Sequence, residues 1–464
     1  MIPIVTPTEM GEIDRAAPEP VDVLIGRAGG AVARSAVAML GGTYGRRVVV
    51  LAGKGNNGND GREAARRLRR RGVAVTVLDA TDRPSTIPPC DLFIDAAYGT
   101  GFRGEYEAPV VGSGTLVLAV DIPSGVDGLT GAAGAGVVAA DRTVTFAALK
   151  PGLLLEPGVS LAGRVDIADI GLDVSSVRSW LVQAHDVADW LPRREPTTHK
   201  WRAAVWVIAG SPGMDGAAAL VSAGAQRAGA GYVRQSTPGG DVAAAPHIPV
   251  EVVRTPLPAS GWAAEVNAEL DRFAALVVGN GLGTGDEMVA EVRRLVSSTS
   301  TSSITVVVDA DGITALGTSA EALVGRQVVL TPHDGEFARL AGSAPGPDRI
   351  AATRELAGRV GCVVLLKGGP TVVAGPDGSV LVVATGDARL ATAGTGDVLA
   401  GTIGALAASG LDPLRAAAAG AFIHGQAGDL GWRHGLVAGD LAALLPAVLD
   451  HLDPASTRPD RPGT

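Results

Sequence analysis

Residues 392–401 read TAGTGDVLAG: Gly394 and Gly396 flank Thr395, and an acid, Asp397, follows where an apolar, alanine-rich helical pattern begins. Glycines at a helix start let backbone N–H groups close on an anion, and the helix dipole favours negative charge there. A carboxylate in the same turn sits beside that anion, placed to take a proton from an attacking hydroxyl. The stretch therefore points to an α/β layer whose helix start binds phosphate, with phosphoryl chemistry on an alcohol. An N-capping Asp after a Gly turn gives the same residues with no chemistry, so the neighbouring segments decide.

Upstream, CVVLLKGGPT (362–371) reads as a buried strand ending in Lys367, Gly368 and Gly369, followed by Pro370 and Thr371. A cation, two flexible backbone donors and a hydroxyl after a strand make a polyphosphate cradle. VVLTPHDGEFARL (328–340) gives a strand, a turn with Pro332 and Gly335, and a helix with Glu336 and Arg339. His333 lies in that turn, where it can meet a ligand, although a lone loop His is more often solvated. ALVVGNGLGTG (275–285) adds a third strand running into glycines. Repeated strand-to-glycine junctions suit the carboxyl edge of a parallel sheet, where ligands of α/β proteins bind.

The chain has 464 residues, enough for two or three domains. Hydrophobic residues make up 46% and charged ones 19%, a globular and not a disordered composition. A net charge of −9 argues against nucleic acid as a partner. Cys90 and Cys362 border apolar strand-like runs and are expected as buried free thiols, with no disulfide framework or zinc pattern. MIPIVTPTEM lacks a basic region followed by an apolar core, and no apolar run reaches the roughly 18 residues that span a membrane. The expectation is a cytoplasmic protein with no membrane partner.

Residues 21–40 have an Ala/Val/Leu helical face, and 46–72 read as strand, Gly/Asn loop and helix. VAVTVLDA, CDLFIDAAYGTG, TLVLAVDIPSG and RTVTFAALK follow as short apolar strands whose spacing fits a mostly parallel sheet. VDIADIGL (165–172) closes a first domain, 1–172; residues 173–200 are more polar and are expected to be a linker. AAVWVIAGS starts a second α/β series, 201–455, and the tail 456–464 is expected to be disordered.

GKGNNG (53–58) is literally G-x-G-x-x-G after a strand, with Asp79 about 20 residues beyond, so a dinucleotide-binding reading has to be weighed. Asn56, Asn57, Asn59 and Asp60 crowd that turn, and a carboxylate there repels a pyrophosphate. Amide and carboxylate oxygens suit a hard cation or a polar ligand instead. Asp95 and the Gly-rich loop after it, and Asp121 and Ser124, supply further strand-end oxygens. The basic run Arg66–Arg71 reads as a solvated helix face.

With these segments in hand, the chain resembles the bifunctional NAD(P)H-hydrate repair enzymes over nearly its whole length. GKGNNGNDG, DAAYGTG, VDIPSGVDG and TFAALKPG are similar to the epimerase motifs; GNGLG, VVVDADG, TPHDGEFARL, KGGPT and AGTGDVLAG are similar to those of the dehydratase. The resemblance implies a Rossmann-like three-layer α/β/α epimerase domain followed by a ribokinase-like, ADP-dependent dehydratase domain. It implies that Asn56, Asn57, Gly58, Asn59 and Asp60, with Gly99, Thr100, Gly101, Phe102, Arg103, Gly104 and Glu105, hold the hydrate of NADH or NADPH. Asp121 would contact it and transfer a proton, and Asn57, Asp95 and Ser124 would ligate K⁺. In the dehydratase half, Ala217, Gly281 and His333 would contact the hydrate. Lys367, Gly368, Gly369, Pro370, Thr371 and Gly396 would hold ADP with Mg²⁺, and Asp397 would be the catalytic base. The resemblance also implies a homo-oligomer.

Three positions depart from the family pattern. Asn59 stands where the NNGGD-like run has Gly, which matters if that position needs φ > 0. Asn280 replaces the Pro of the GPGLG-like loop, and THKW (198–201) lacks the glycine that follows the His-Lys pair. The rival reading is a ribokinase-like small-molecule kinase whose N-terminal half is a non-catalytic binding module.

Overall fold

The computed structural model describes residues 1–102, 104, 106–193, 195, 197–240, 247–298 and 304–453. Arg103 and Glu105 of the expected substrate loop, and the expected disordered tail, lie outside these residues. The chain divides into two compact units, Ile2–Ser179 and Trp180–Thr464, with Met1 counted in the second.

In the first unit, six strands form one parallel sheet in the order Ala74–Asp79, Arg47–Ala52, Leu92–Ala96, Leu116–Val120, Arg142–Phe146, Arg164–Ala168. Alternate residues serve opposite faces, as the two-residue strand period requires. Val48, Val50 and Ile94 join Leu24, Val32, Ala64 and Leu68 beneath the helices Val21–Leu40 and Asn56–Arg70. Val49, Leu51 and Phe93 bury a smaller cluster on the other face. The second strand in chain order lies on one side of the first, and the third on the other. The loops after Ala52 and Ala96 thus diverge over a topological switch point, which is where a crevice opens.

Two expectations change here. Val21–Leu40 is long and apolar enough to cross a membrane by length and composition, although no uninterrupted apolar run signals it. Its apolar character serves the core, since Leu24, Ala28, Val32, Ala36 and Leu40 are buried in it. The run Asn56–Asp60 is not a loop: the helix starts at Asn56, with Asn59 N–H donating to Gly55 O at 3.1 Å. Asn59 is absent from the residues with positive φ, so a helix turn that any residue adopts replaces the expected glycine requirement.

The second unit contains one mixed sheet, in the order Ser179–Leu181, Val380–Val383, Thr371–Ala374, Val363–Leu366, Val328–Leu330, Thr305–Val308, Ala275–Val278, Ala204–Ile208, Tyr232–Ser236, Val253–Arg254. From Val363–Leu366 to Val253–Arg254 the pairing is parallel; Thr371–Ala374 runs antiparallel to both its neighbours. Helices Asp215–Arg227, Thr395–Ala408, Pro413–Leu430 and Ala438–Leu452 supply Val221, Val398, Ile403, Ile423 and Leu441 to its core. Part of the expected linker belongs to this core. Ser179–Leu181 is a strand, Ala184–Trp190 is a helix, and Val182 and Val187 are buried among the second unit's apolar side chains. Pro192, Arg193 and Glu195, which suggested a connection, come after that short helix.

Candidate functional sites

The first unit's crevice is a cavity of about 750 Å³, within the size range of small-molecule sites. Asn56, Asn57 and Asp60 line it from the start of the Asn56–Arg70 helix, Gly99–Phe102 from the neighbouring loop, and Asp121 from the strand end beyond. Gly58, Asn59 and Gly104 do not line it. Gly58 has a backbone role: a Cβ there would lie 1.9 Å from Gly53 O, so only glycine lets the helix start close on the strand end.

Asp121 has φ 68°, an uncommon conformation for a residue with a Cβ, and its carboxylate is held through both oxygens. Lys150 Nζ lies 2.8 Å from Oδ1, Thr145 Oγ1 donates to Oδ1 at 3.2 Å, and Thr100 N–H donates to Oδ2 at 3.2 Å. Lys150 is 1% exposed and also donates to Thr145 Oγ1, Phe146 O and Ala148 O. Burial raises the Asp121 pKa, but the Lys150 charge and the hydrogen bonds outweigh it and hold the carboxyl below its ordinary value. Asp60 behaves oppositely: burial, reinforced by the Asp121 and Asp14 charges, pushes it up to about 8. Lys150, Asp14, Lys54 and Tyr98 line the same cavity and had no role assigned from sequence. Lys150 carried a signal, a lysine directly after an apolar strand; Asp14, on the helix Pro7–Ala16, carried none. Tyr98 and Phe102 stack with ring centroids 4.3 Å apart.

Asp95 and Ser124 sit deeper. Ser124 donates to the Asp95 carboxylate through Oγ at 2.6 Å and through N–H at 2.9 Å. No described cation pairs with this buried carboxylate, whose pKa is raised by desolvation. Asn57 Oδ1 and Nδ2 are both shielded from solvent and have no partner among the described residues.

In the second unit the switch point falls between Ala204–Ile208 and Ala275–Val278. Their loops join there: Gly210 N–H donates to Asn280 O at 2.8 Å and Ser211 Oγ donates to Gly281 O at 2.8 Å. Gly281 has φ 66°, and a Cβ on it would lie 3.1 Å from the Ala217 Cβ, so these two expected substrate contacts are adjacent. Gly394 caps the helix Thr395–Ala408 in the left-handed region, with φ 88°, and a Cβ there would meet Leu220 Cδ1 at 2.5 Å. Asp397 follows in the first turn, and a Cβ on Gly396 would stand 3.3 Å from Lys367 Nζ.

The charged groups form one chain. Lys367 Nζ donates to Asp309 Oδ1 at 2.6 Å. Asn280 Nδ2 donates to Asp309 Oδ2 at 2.9 Å and to Asp397 Oδ1 at 2.7 Å. Burial pushes the Asp397 carboxyl up to about 6; the Asn280 hydrogen bond lowers it, Asp309 raises it and Lys367 lowers it. Lys367 stays charged, because Asp309, Glu336 and Asp397 outweigh the effect of its burial. Gly368–Thr371 form a tight turn in which Thr371 Oγ1 donates to Gly368 O at 3.1 Å. Arg349, without an assigned role from sequence, braces that turn by donating to Lys367 O at 2.8 Å while pairing with Asp334. His333 caps the helix Asp334–Ala341: its Nδ1 accepts from Gly335 N–H at 3.0 Å, and its side chain is exposed. Its loop adjoins the lysine strand through Lys367 N–H to Pro332 O, 2.8 Å.

A glycine-capped helix start carrying an acid, a lysine on the adjacent strand loop and a switch-point crevice fit an α/β domain of the ribokinase-like class. Comparison with known proteins narrows this. Residues 205–448 match the NAD(P)H-hydrate dehydratase family, and residues 21–86 and 79–152 match the YjeF-related protein N-terminus. The chain is 36% identical to the bifunctional NAD(P)H-hydrate repair enzyme Nnr of Moorella thermoacetica, over 97% of each chain. It is 40% identical to the enzyme of that name in Mycobacterium tuberculosis, over 83% of this chain and 84% of the relative. A solved ADP/ATP-dependent NAD(P)H-hydrate dehydratase from Bacillus subtilis, co-crystallized with ATP/Mg²⁺, covers 60% of this chain and 100% of its own, with a TM-score of 0.52 and 30% identity. A ribokinase-like superfamily protein from Enterococcus faecalis shares the fold, with a TM-score of 0.53 over 61% of this chain and 99% of its own, at 18% identity. The chain belongs to the family of bifunctional NAD(P)H-hydrate repair enzymes.

Proposed function

We propose that this chain returns hydrated NADH and NADPH to their reduced forms, with the second unit as an ADP-dependent dehydratase and the first as an epimerase. The observation that carries the reading is Asp397 in the first turn of a glycine-capped helix, facing Lys367. Asp397 takes the proton of the added hydroxyl, whose oxygen attacks the β-phosphorus of ADP; the bond from that phosphorus to the bridging oxygen breaks and AMP leaves. The N–H groups of Gly394–Gly396 and the Lys367 ammonium stabilise the charge on the transferring group. The ring-nitrogen lone pair then expels phosphate, and proton loss from the neighbouring carbon restores the double bond. Lys367, Gly368, Gly369, Pro370, Thr371 and Gly396 hold the nucleotide; Ala217, Gly281 and His333 border the hydrate. Mg²⁺ bound with ADP supplies charge neutralisation on the phosphates.

The dehydratase accepts the S epimer, and the first unit interconverts S and R. Epimerisation requires a proton to leave one group and return to another. The cavity offers an ionised acceptor, Asp121, and a carboxyl that is still a donor at neutral pH, Asp60, two acids whose surroundings push their pKa values apart. Because the protonated form of Asp60 is the useful one, the epimerisation rate is expected to fall as pH rises past about 8. Stopped-flow epimerisation across pH 6–10 reads this, and a flat profile argues against Asp60 as donor.

K⁺ fits the residues beside this cavity: among the described residues, buried Asn57 Oδ1 has no donor and the buried Asp95 carboxylate has no cation. With Ser124 they offer the hard oxygens an alkali ion takes, and the bound ion supplies positive charge next to the substrate. Epimerisation is expected to respond to K⁺ over Li⁺, with the response lost in Asn57→Ala. Equal K⁺ activation in the variant would remove Asn57 from the site. Residence in the cytoplasm and assembly into a homo-oligomer complete the reading; two free cysteines suit a reducing compartment.

The test is to mix the protein with both epimers of the hydrate and follow reduced-nicotinamide absorbance with and without ADP. Complete ADP-dependent recovery is expected. A stable phosphorylated product without recovery would instead identify a small-molecule kinase.

A further inference from the structure

The chain Lys367–Asp309–Asn280–Asp397 contains one uncharged member, and it stands between two carboxylates. Asn280 is fully buried, at 0% exposure, on the loop where the sheet order reverses. Both its partners are carboxylate oxygens, which only accept, so the amide must turn its NH₂ towards them. One nitrogen then supplies both of its hydrogens, to Asp309 Oδ2 at 2.9 Å and to Asp397 Oδ1 at 2.7 Å. Its Oδ1 is left buried with no partner among the described residues. A buried amide that leaves one end unsatisfied to bridge two acids is fixed by those acids and by little else.

We propose that Asn280 is a positioning residue for the dehydratase: by tying Asp397 Oδ1 to Asp309 it aims Asp397 Oδ2 at the substrate hydroxyl and keeps the base ionised beside a second carboxylate. This rests on Asp397 being the base. The other oxygen lies towards the helix start, where a Cβ on Gly394 would be 3.8 Å from Oδ2. Asp309 is itself held by Lys367, so the group that meets the phosphates and the group that takes the proton are linked through a single amide. Binding of a phosphate at Lys367 would draw on the same ammonium that pairs with Asp309, and the amide transmits that change to the base.

The charged groups facing Asp397 are Asp309 and Asp311 after the Thr305–Val308 strand and Lys367 after Val363–Leu366. Glu336, from the helix Asp334–Ala341, acts on Lys367. His424, from Pro413–Leu430, is buried against Thr395 O with its pKa pushed down to about 4, so it stays neutral across the range of interest. Asn280 is the neutral donor in this set that can be deleted without changing the charge count.

The test uses the full-length chain and reads kcat, the ADP KM and the kcat–pH profile of the dehydratase in wild type, Asn280→Ala and Asn280→Pro. Pro is suited to the site because the backbone N–H of Asn280 makes no hydrogen bond among the described residues and its φ is not positive. Loss of the amide is expected to lower kcat by about one to two orders of magnitude with the ADP KM within a few-fold. The acid limb is expected to move up by about one pH unit, because an N–H that stabilises the carboxylate has gone. If both variants keep the wild-type limb, whatever happens to kcat, Asn280 does not act on Asp397 and the proposal falls. Should Asn280→Ala lose ADP binding through misfolding, Asn280→Pro decides. Asp397→Ala is run alongside: full dehydratase activity there overturns the choice of base, whereas an inactive Asp397→Ala with unshifted Asn280 variants overturns the proposal alone.

Discussion

Asp397→Ala is expected to slow ADP-dependent recovery of the reduced nicotinamide by about 10²–10⁴, the usual contribution of a positioned general base. Affinity for ADP should change little. Asp397 is an anion beside the phosphate site, so its removal relieves repulsion, and nucleotide binding is held or slightly tightened while kcat collapses. A fall in kcat and in kcat/KM together, with ADP binding kept, is the signature of a group that acts in the transition state. The wild-type profile carries the same information. Burial pushes the Asp397 carboxyl up to about 6 and the ionised form is the active one, so kcat falls as pH drops through about 6. Steady-state kinetics from pH 5 to 8 with calorimetric ADP titration check both points. An Asp397→Ala protein that still consumes ADP in step with hydrate would take the base away from this residue.

That residue was legible from sequence because everything that places it is local. Gly394 adopts its left-handed conformation and caps the helix within a few residues of Asp397. The strand-to-glycine junctions at Gly279, Pro332 and Lys367 were legible for the same reason, and they do lie along one edge of the sheet. Long-range pairing was not legible. Asn280 and Asp397 are 117 positions apart, and only the strand order brings them within 2.7 Å. Lys150 has a composition that belongs to surfaces, yet it is 1% exposed, because Asp121 and the carbonyls of Phe146 and Ala148 replace its water. Turn chemistry misled where helix and loop share residues: the Asn-rich run read as a loop is a helix start, and the concern about Asn59 ends there. The polar stretch 173–200 hid a short helix because one buried valine on each side of Gln183–Asp186 is too brief a period to register.

The Asp121–Lys150 pair sets the second large effect. Lys150 is buried at 1% side-chain exposure and Asp121 is largely shielded at 14%, so removing one leaves the other charge without its ion-pair partner. Lys150→Met is expected to destabilise the first unit by about 3–5 kcal/mol, the range for breaking a buried pair. Epimerisation should stop with it, because the Lys150 charge is the chief influence that holds the Asp121 carboxyl low; without it burial raises that carboxyl and the acceptor is protonated. Asp121→Asn leaves a buried ammonium and is expected to be destabilising for the mirror-image reason. The double variant Lys150→Met/Asp121→Asn discriminates. Deleting both charges removes the unpaired-charge penalty, so its stability should exceed that of either single variant while epimerisation stays absent. Urea unfolding of the full chain, read beside separate epimerase and dehydratase assays, measures the coupling. Dehydratase activity on the pure S epimer should persist in folded samples of all three, since none of these changes touches the second unit's site. If the losses in the two single variants simply add in the double, the pair is not coupled, and Asp121 must owe its left-handed backbone and its ionisation to Thr100 and Thr145 instead.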